Sequence, residues 1–108
     1  MKYSMFVGKW QPFHEGHRWL IEERLKLKKN ILIGIRETEN PLYSPNEIKM
    51  QVSKLYPNEV KDGKIKFIEI PDIESINYGR DVGYDVIEHK PPERIKEISG
   101  TKIRAENG

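Results

Sequence analysis

A chain of 108 residues with 36% hydrophobic and 33% charged residues and a net charge of +2 is expected to form one soluble domain, residues 1–108, with a single modest core. That balance excludes a disordered chain, and the lack of any cysteine excludes a disulfide framework and a thiolate metal site. No run approaches the roughly 18 apolar residues of a membrane span, and the apolar start is too short for a signal peptide, so a cytoplasmic location is expected.

Lys2 to Val7 reads as a first strand closed by Gly8, followed by a loop to His14. His17, Leu20, Ile21, Arg24, Leu25 and Lys28 recur at helical spacing, which predicts a helix of about three turns from Glu15 or Gly16. Asn30 to Ile35 is a continuous apolar run of the kind found in buried parallel strands. The second helix has a full start signal, with Ser44 as N-cap, Pro45 at the first helical position and Glu47 completing a capping box. Tyr43 and Ile48 are placed as its hydrophobic staple, Ile48, Val52, Leu55 and Tyr56 form its apolar stripe, and Pro57-Asn58 is expected to stop it. An Asp62-Gly63 turn leads to a third strand, Lys64 to Ile70, ended by Pro71. Short strands are expected near Ile73 to Asn77 and Tyr84 to Ile87, and Pro91-Pro92 breaks the chain after them.

Strands alternating with helices predict an α/β domain with a mainly parallel sheet and helices packed on it in three layers. Ligands of such sheets bind outside the C-terminal ends of the strands, where the segment His14 to His17 falls. Charge agrees with that placement. Residues 1–36 hold eight Lys/Arg against three Asp/Glu, and residues 89–104 five against two, while residues 37–88 hold six against eleven. The basic ends, brought together, would make a local positive field for a polyphosphate. The acidic middle argues against a nucleic acid as partner, and no basic stretch is interleaved with stacking aromatics.

His14 and His17 lie three residues apart at a helix start, so both rings can share a face, and Gly16 lets a ligand approach the backbone. Two imidazoles there could stabilise charge building on a phosphorus centre. The competing readings are a plain helix cap and a zinc site, which would need carboxylates because His89 is the only other histidine. Near the end of the chain, Ser99 and Thr101 can cap a helix or bind phosphate oxygens, Gly100 allows close approach, and Lys102 and Arg104 add charge, with Arg104 able to grip two oxygens. A helix cap on a basic turn is the alternative there.

Gly8-Lys9-Trp10-Gln11-Pro12-Phe13-His14-Glu15-Gly16-His17 resembles the GxFxPxHxGH segment of the cytidylyltransferase-like nucleotidyltransferase superfamily, and Ile98 to Arg104 (ISGTKIR) resembles its ISxTxIR signature. The resemblance implies a small Rossmann-like domain. It also implies transfer of a nucleoside monophosphate from CTP or ATP to a phosphate-bearing acceptor, with release of pyrophosphate and with Mg²⁺ carried on the nucleotide. His14 and His17 would stabilise the transition state, with Lys9 as a further catalytic residue. The backbone at Gly8, Lys9, Trp10 and Gly16 would hold the α-phosphate, and Ser99, Gly100, Thr101 and Arg104 the other two. No nucleophilic side chain and no protein-bound metal is required.

The chain departs from the family pattern in places. Lys9 replaces an Arg common in the adenylyltransferases, exchanging a bidentate contact for a point charge. Arg94 stands at the offset where some cytidylyltransferases place an Arg of their RTEG segment, which favours CMP transfer over AMP transfer. The stretch Ile76 to Tyr84 replaces the base-recognising region, with Tyr78, Arg80 and Tyr84 as its candidate contacts. Four residues follow Arg104, so a terminal helix would be little more than a turn, steadied by packing or by a second copy in a homodimer. The alternatives are an adenylyltransferase of the nicotinamide-mononucleotide type and a nucleotide-binding module without turnover.

Overall fold

The computed structural model describes residues 2–79, 83 and 85–96. Three strands, β1 (Tyr3–Gly8), β2 (Asn30–Arg36) and β3 (Ile65–Ile70), form a parallel sheet in the order β1-β2-β3. Their bounds fall within a residue of those read from the apolar runs. Helix α1 (Glu15–Leu25) joins β1 to β2, and α2 (Pro45–Leu55) with α3 (Pro57–Lys61) joins β2 to β3. A four-residue helix, α4 (Glu93–Lys96), follows a long irregular segment. The architecture is α/β and agrees with a small Rossmann-like domain.

The register explains the core. Ile31, Ile33 and Ile35 of β2 stand beside Ile65, Phe67 and Glu69 of β3, and Phe6 of β1 stands beside Ile33. The β2 isoleucines pack with Ile21 of α1 and with Ile48 and Val52 of α2, all of them buried. Each such side chain removed from water stabilises the fold by roughly 1.5–3 kcal/mol before entropy is counted. On the opposite sheet face Met5 and Ile68 remain 50% and 44% exposed.

Helix α2 begins as its sequence dictates. Ser44 Oγ accepts from Glu47 N at 3.2 Å, and Ser44 N donates to Glu47 Oε1 at 3.0 Å. Tyr43 packs against the core cluster that contains Ile48. Two expectations change. Pro57 ends α2 but also opens α3, because a proline at the first helical position loses no hydrogen bond there. Residues 73–77 and the described part of 84–87 form no strand, since no described strand offers them a ladder and Ile76, Val86 and Ile87 are left exposed. The segment returns to the sheet at His89, whose ring stacks on Phe6 with centroids 5.8 Å apart.

Candidate active site

The loop between β1 and α1 is held by its own buried side chains. Trp10 adopts a positive φ of 57°, unusual for a bulky residue, and its indole folds back over Gly8, where a Cβ would lie 3.1 Å from the ring. Indole Nε1 donates to the Gly34 carbonyl at 3.0 Å, and the side chain is 4% exposed. A buried hydrogen bond and full packing offset the backbone strain. The indole is therefore a core group, and any contact of residue 10 with phosphate falls to its main chain.

Gln11 does comparable work in the opposite direction. Its Nε2 donates to the Tyr43 carbonyl and its Oε1 accepts from Tyr43 N, both at 2.9 Å. This clamp ties the loop before α2 to the loop before α1. Gln11 was not among the expected site residues. Its place between Trp10 and Pro12 was the only sequence signal, and its burial appears only in the structure.

His14 is the N-cap of α1. Its Nδ1 accepts from Gly16 N at 3.0 Å, and its own N–H donates to His17 Nδ1 at 3.2 Å. The pair thus forms a capping box built from two imidazoles in place of hydroxyl and carboxylate. Because both Nδ1 atoms accept, the neutral rings carry their protons on Nε2. The rings stack with centroids 3.7 Å apart and 19° between planes, and Trp10 meets His17 edge-on at 4.5 Å. Burial among these rings, and secondarily the neighbouring His14, pushes the His17 pKa down to about 3. His17 is therefore a neutral hydrogen-bond donor at physiological pH, not a cation.

The capping reading and the phosphate reading are compatible, since capping uses Nδ1 and leaves the N–H chemistry on Nε2. Zinc fits poorly, because the Nδ1 lone pairs are committed and His89 stacks on Phe6 instead. Among the described residues, no group of three or more His, Cys, Asp or Glu side chains converges.

Arg94 is brought to this helix start across 79 residues of sequence, and its Nη1 lies 3.2 Å from Glu15 Oε1. Both partners are largely exposed, while the adjacent Ile95 is 4% exposed and anchors α4. His14, Glu15, Arg18, Trp19 and Arg94 line a cavity of about 450 Å³. Gly16 is buried at the first turn, and Lys9 is exposed and lines neither this cavity nor a second one, which Gln11 and Arg36 line. Arg80, Ser99, Gly100, Thr101 and Arg104, with Tyr84, lie outside the described residues.

The α/β fold is compatible with a small Rossmann-like domain, and the names of similar proteins support a nucleotidyltransferase. The relatives that the chain matches are more particular. It is 27% identical to the nicotinamide-nucleotide adenylyltransferase of Methanococcus aeolicus over 94% of this chain and 74% of that protein. It is 28% identical to the proteins of the same name from Thermococcus sibiricus and Thermococcus kodakarensis, over 65% and 68% of this chain but only 41% and 42% of theirs. No family model matches the chain. These names do not support the expected preference for CMP and favour the adenylyl alternative.

Proposed function

We propose that the chain transfers AMP from ATP to a phosphate-bearing acceptor of the nicotinamide-mononucleotide kind, releasing pyrophosphate. The observation that carries this reading is the stacked His14–His17 pair at the start of α1, with His17 held neutral, in a chain similar to nicotinamide-nucleotide adenylyltransferases. An acceptor phosphate oxygen attacks the α-phosphorus, the bond to the β-phosphate oxygen breaks, and no proton has to move. The site then needs positioning and neutralisation of charge more than a general base.

The Nε2–H groups of His14 and His17 supply donors to the oxygens that gain charge as phosphorus becomes five-coordinate. The main-chain N–H groups at the start of α1 and the Arg94 guanidinium add positive potential. Mg²⁺ carried on the triphosphate would offset charge on its β- and γ-phosphates and would need few ligands from the protein. Ser99, Thr101 and Arg104 are proposed to hold the outer phosphates.

The test is pyrophosphate release from each nucleoside triphosphate in the presence of nicotinamide mononucleotide and of pooled phosphomonoesters. ATP with nicotinamide mononucleotide is expected to be the productive pair. A faster rate with CTP would reverse the choice of base, and tight ATP binding without release from any pair would leave a binding module. His17→Ala is expected to lower turnover by about 10²–10³ while changing ATP affinity little. Equal losses in both would argue against a transition-state role.

A further inference from the structure

We propose that Trp10 is a positioning residue for the transfer: its indole, tied through Nε1–H to the Gly34 carbonyl, walls the His17 ring and fixes the direction of its Nε2–H. This rests on the nucleotidyl-transfer reading above. It concerns the side chain, not the main-chain phosphate contact that the motif resemblance implies for residue 10. The GxFxPxHxGH pattern has Phe at this place, so the indole N–H is an addition of this chain.

A bulky residue with a φ of 57° is held there only by surroundings that over-determine it, and such outliers gather at working sites. The surroundings here are specific. Gly8 leaves room for the ring, since a Cβ there would lie 3.1 Å from Trp10 Cε2. Gly34, the acceptor, is held in register on both sides, beside Val7 of β1 and Ile68 of β3. The 3.0 Å bond therefore fastens the loop to the middle strand of the described sheet, which two ladders keep in place.

His17 takes its orientation from what encloses it. Its Nδ1 accepts from His14 N at 3.2 Å, which sets the tautomer, and the His14 ring stacks on it at 3.7 Å. Trp10 meets it edge-on at 4.5 Å with 73° between planes, and Phe13 lies at 5.6 Å. Phe13 is itself anchored, because its N–H donates to Gln51 Oε1 of α2 at 3.2 Å. The ring is thus boxed by groups fastened to β2, to α2 and to the start of α1. A donor that meets a phosphoryl oxygen as charge develops there gains from such fixing, since nothing has to reorganise during the reaction. The Trp10 anchor is a single N–H, so it can be removed while an aromatic ring is kept. Phe at position 10 takes that donor from a buried carbonyl, which then recruits water beside His17.

The experiment compares Trp10→Phe and Trp10→Ala with the unaltered full chain, in pyrophosphate release from ATP with nicotinamide mononucleotide and in an NMR titration of the His17 ring. Trp10→Phe is expected to lower kcat roughly tenfold while KM for either substrate moves by less than about twofold. It is also expected to raise the His17 midpoint from about 3 by about one unit or more, because burial is the main cause of the low value and the lesser one, His14, is unchanged. Trp10→Ala should move both readouts further in the same directions, and if it does not fold the Phe variant decides. In the unaltered chain, the indole N–H resonance that Trp10→Phe removes is expected to be protected from exchange with solvent. A merely structural role would lower Tm and leave kcat and the His17 midpoint where they were. That result, equal losses in kcat and substrate affinity, or a freely exchanging Trp10 indole N–H would overturn the assignment. If the unaltered chain releases no pyrophosphate, the functional reading fails, and the midpoint and the exchange rate still decide whether Trp10 fixes His17.

Discussion

A histidine pair can stabilise charge only in the protonation state its surroundings allow, and here those surroundings hold His17 neutral. Its pKa of about 3 against an ordinary value of 6.5 means that the folded protein refuses a proton that the unfolded chain accepts between those two values. The sign follows directly. The stability contributed by neutral His17 is complete above pH 6.5 and is lost progressively as pH falls towards 3. The ring resonances of His17 in a proton NMR titration are accordingly expected to stay flat from pH 5 to 8, and a midpoint near 6.5 would show that the ring is not desolvated as described. Two histidines flanking a glycine suggested a phosphate site in sequence, but the neutrality of His17 was not legible there. It depends on Trp10 and Phe13 enclosing His17, with ring centroids at 4.5 and 5.6 Å.

At the scale of elements, the starts of both long helices are held by reciprocal side-chain caps, and only one of them follows the usual chemistry. The Ser44–Glu47 box was legible because hydroxyl and carboxylate at that spacing have a known geometry, and proline at position 45 points the same way. Ser44→Ala is expected to cost about 1 kcal/mol, read as a fall of roughly 4–8 °C in Tm, with catalysis unchanged relative to folded protein. The His14–His17 box is chemically ambiguous in sequence, because imidazole caps, ligates metals and donates to phosphate equally well. Pro57 was ambiguous for a related reason. The ring that terminates α2 also suits the first position of α3, and only the following residues' hydrogen bonds, such as Asp62 N to Asn58 O at 2.9 Å, separate a stop from a restart.

For the molecule as a whole, the sheet gathers residues far apart in sequence at one edge. Arg94 reaches Glu15 through α4, which is anchored by the burial of Ile95. That ion pair is exposed and contributes little to stability: Glu15→Gln is expected to change unfolding free energy by less than about 0.5 kcal/mol in a denaturant titration. A larger loss would mean that the pair holds α4 in place, which would give Arg94 a structural task. The same edge carries Arg36 at the end of β2 and Gln11 within the loop that follows β1, and Gln11 and His14 of that loop line different cavities.

Local rules were sufficient for the three strands, the two long helices and the Ser44 cap, because apolar period, proline placement and short-range hydrogen bonds act within a few residues. They also led to the expectation of an anion site at His14, Gly16 and His17, the residues that the structure places at the capped start of α1. What they left open were properties made by neighbours distant in the chain: Trp10 turned into the core, Gln11 bonded to Tyr43 across 32 residues, Arg94 beside Glu15, and Arg36 with a buried Nε–H that no described residue accepts. Burial and electrostatic environment are sums over everything packed around a group, so only the tertiary structure decides which of the chain's polar side chains are neutral or paired.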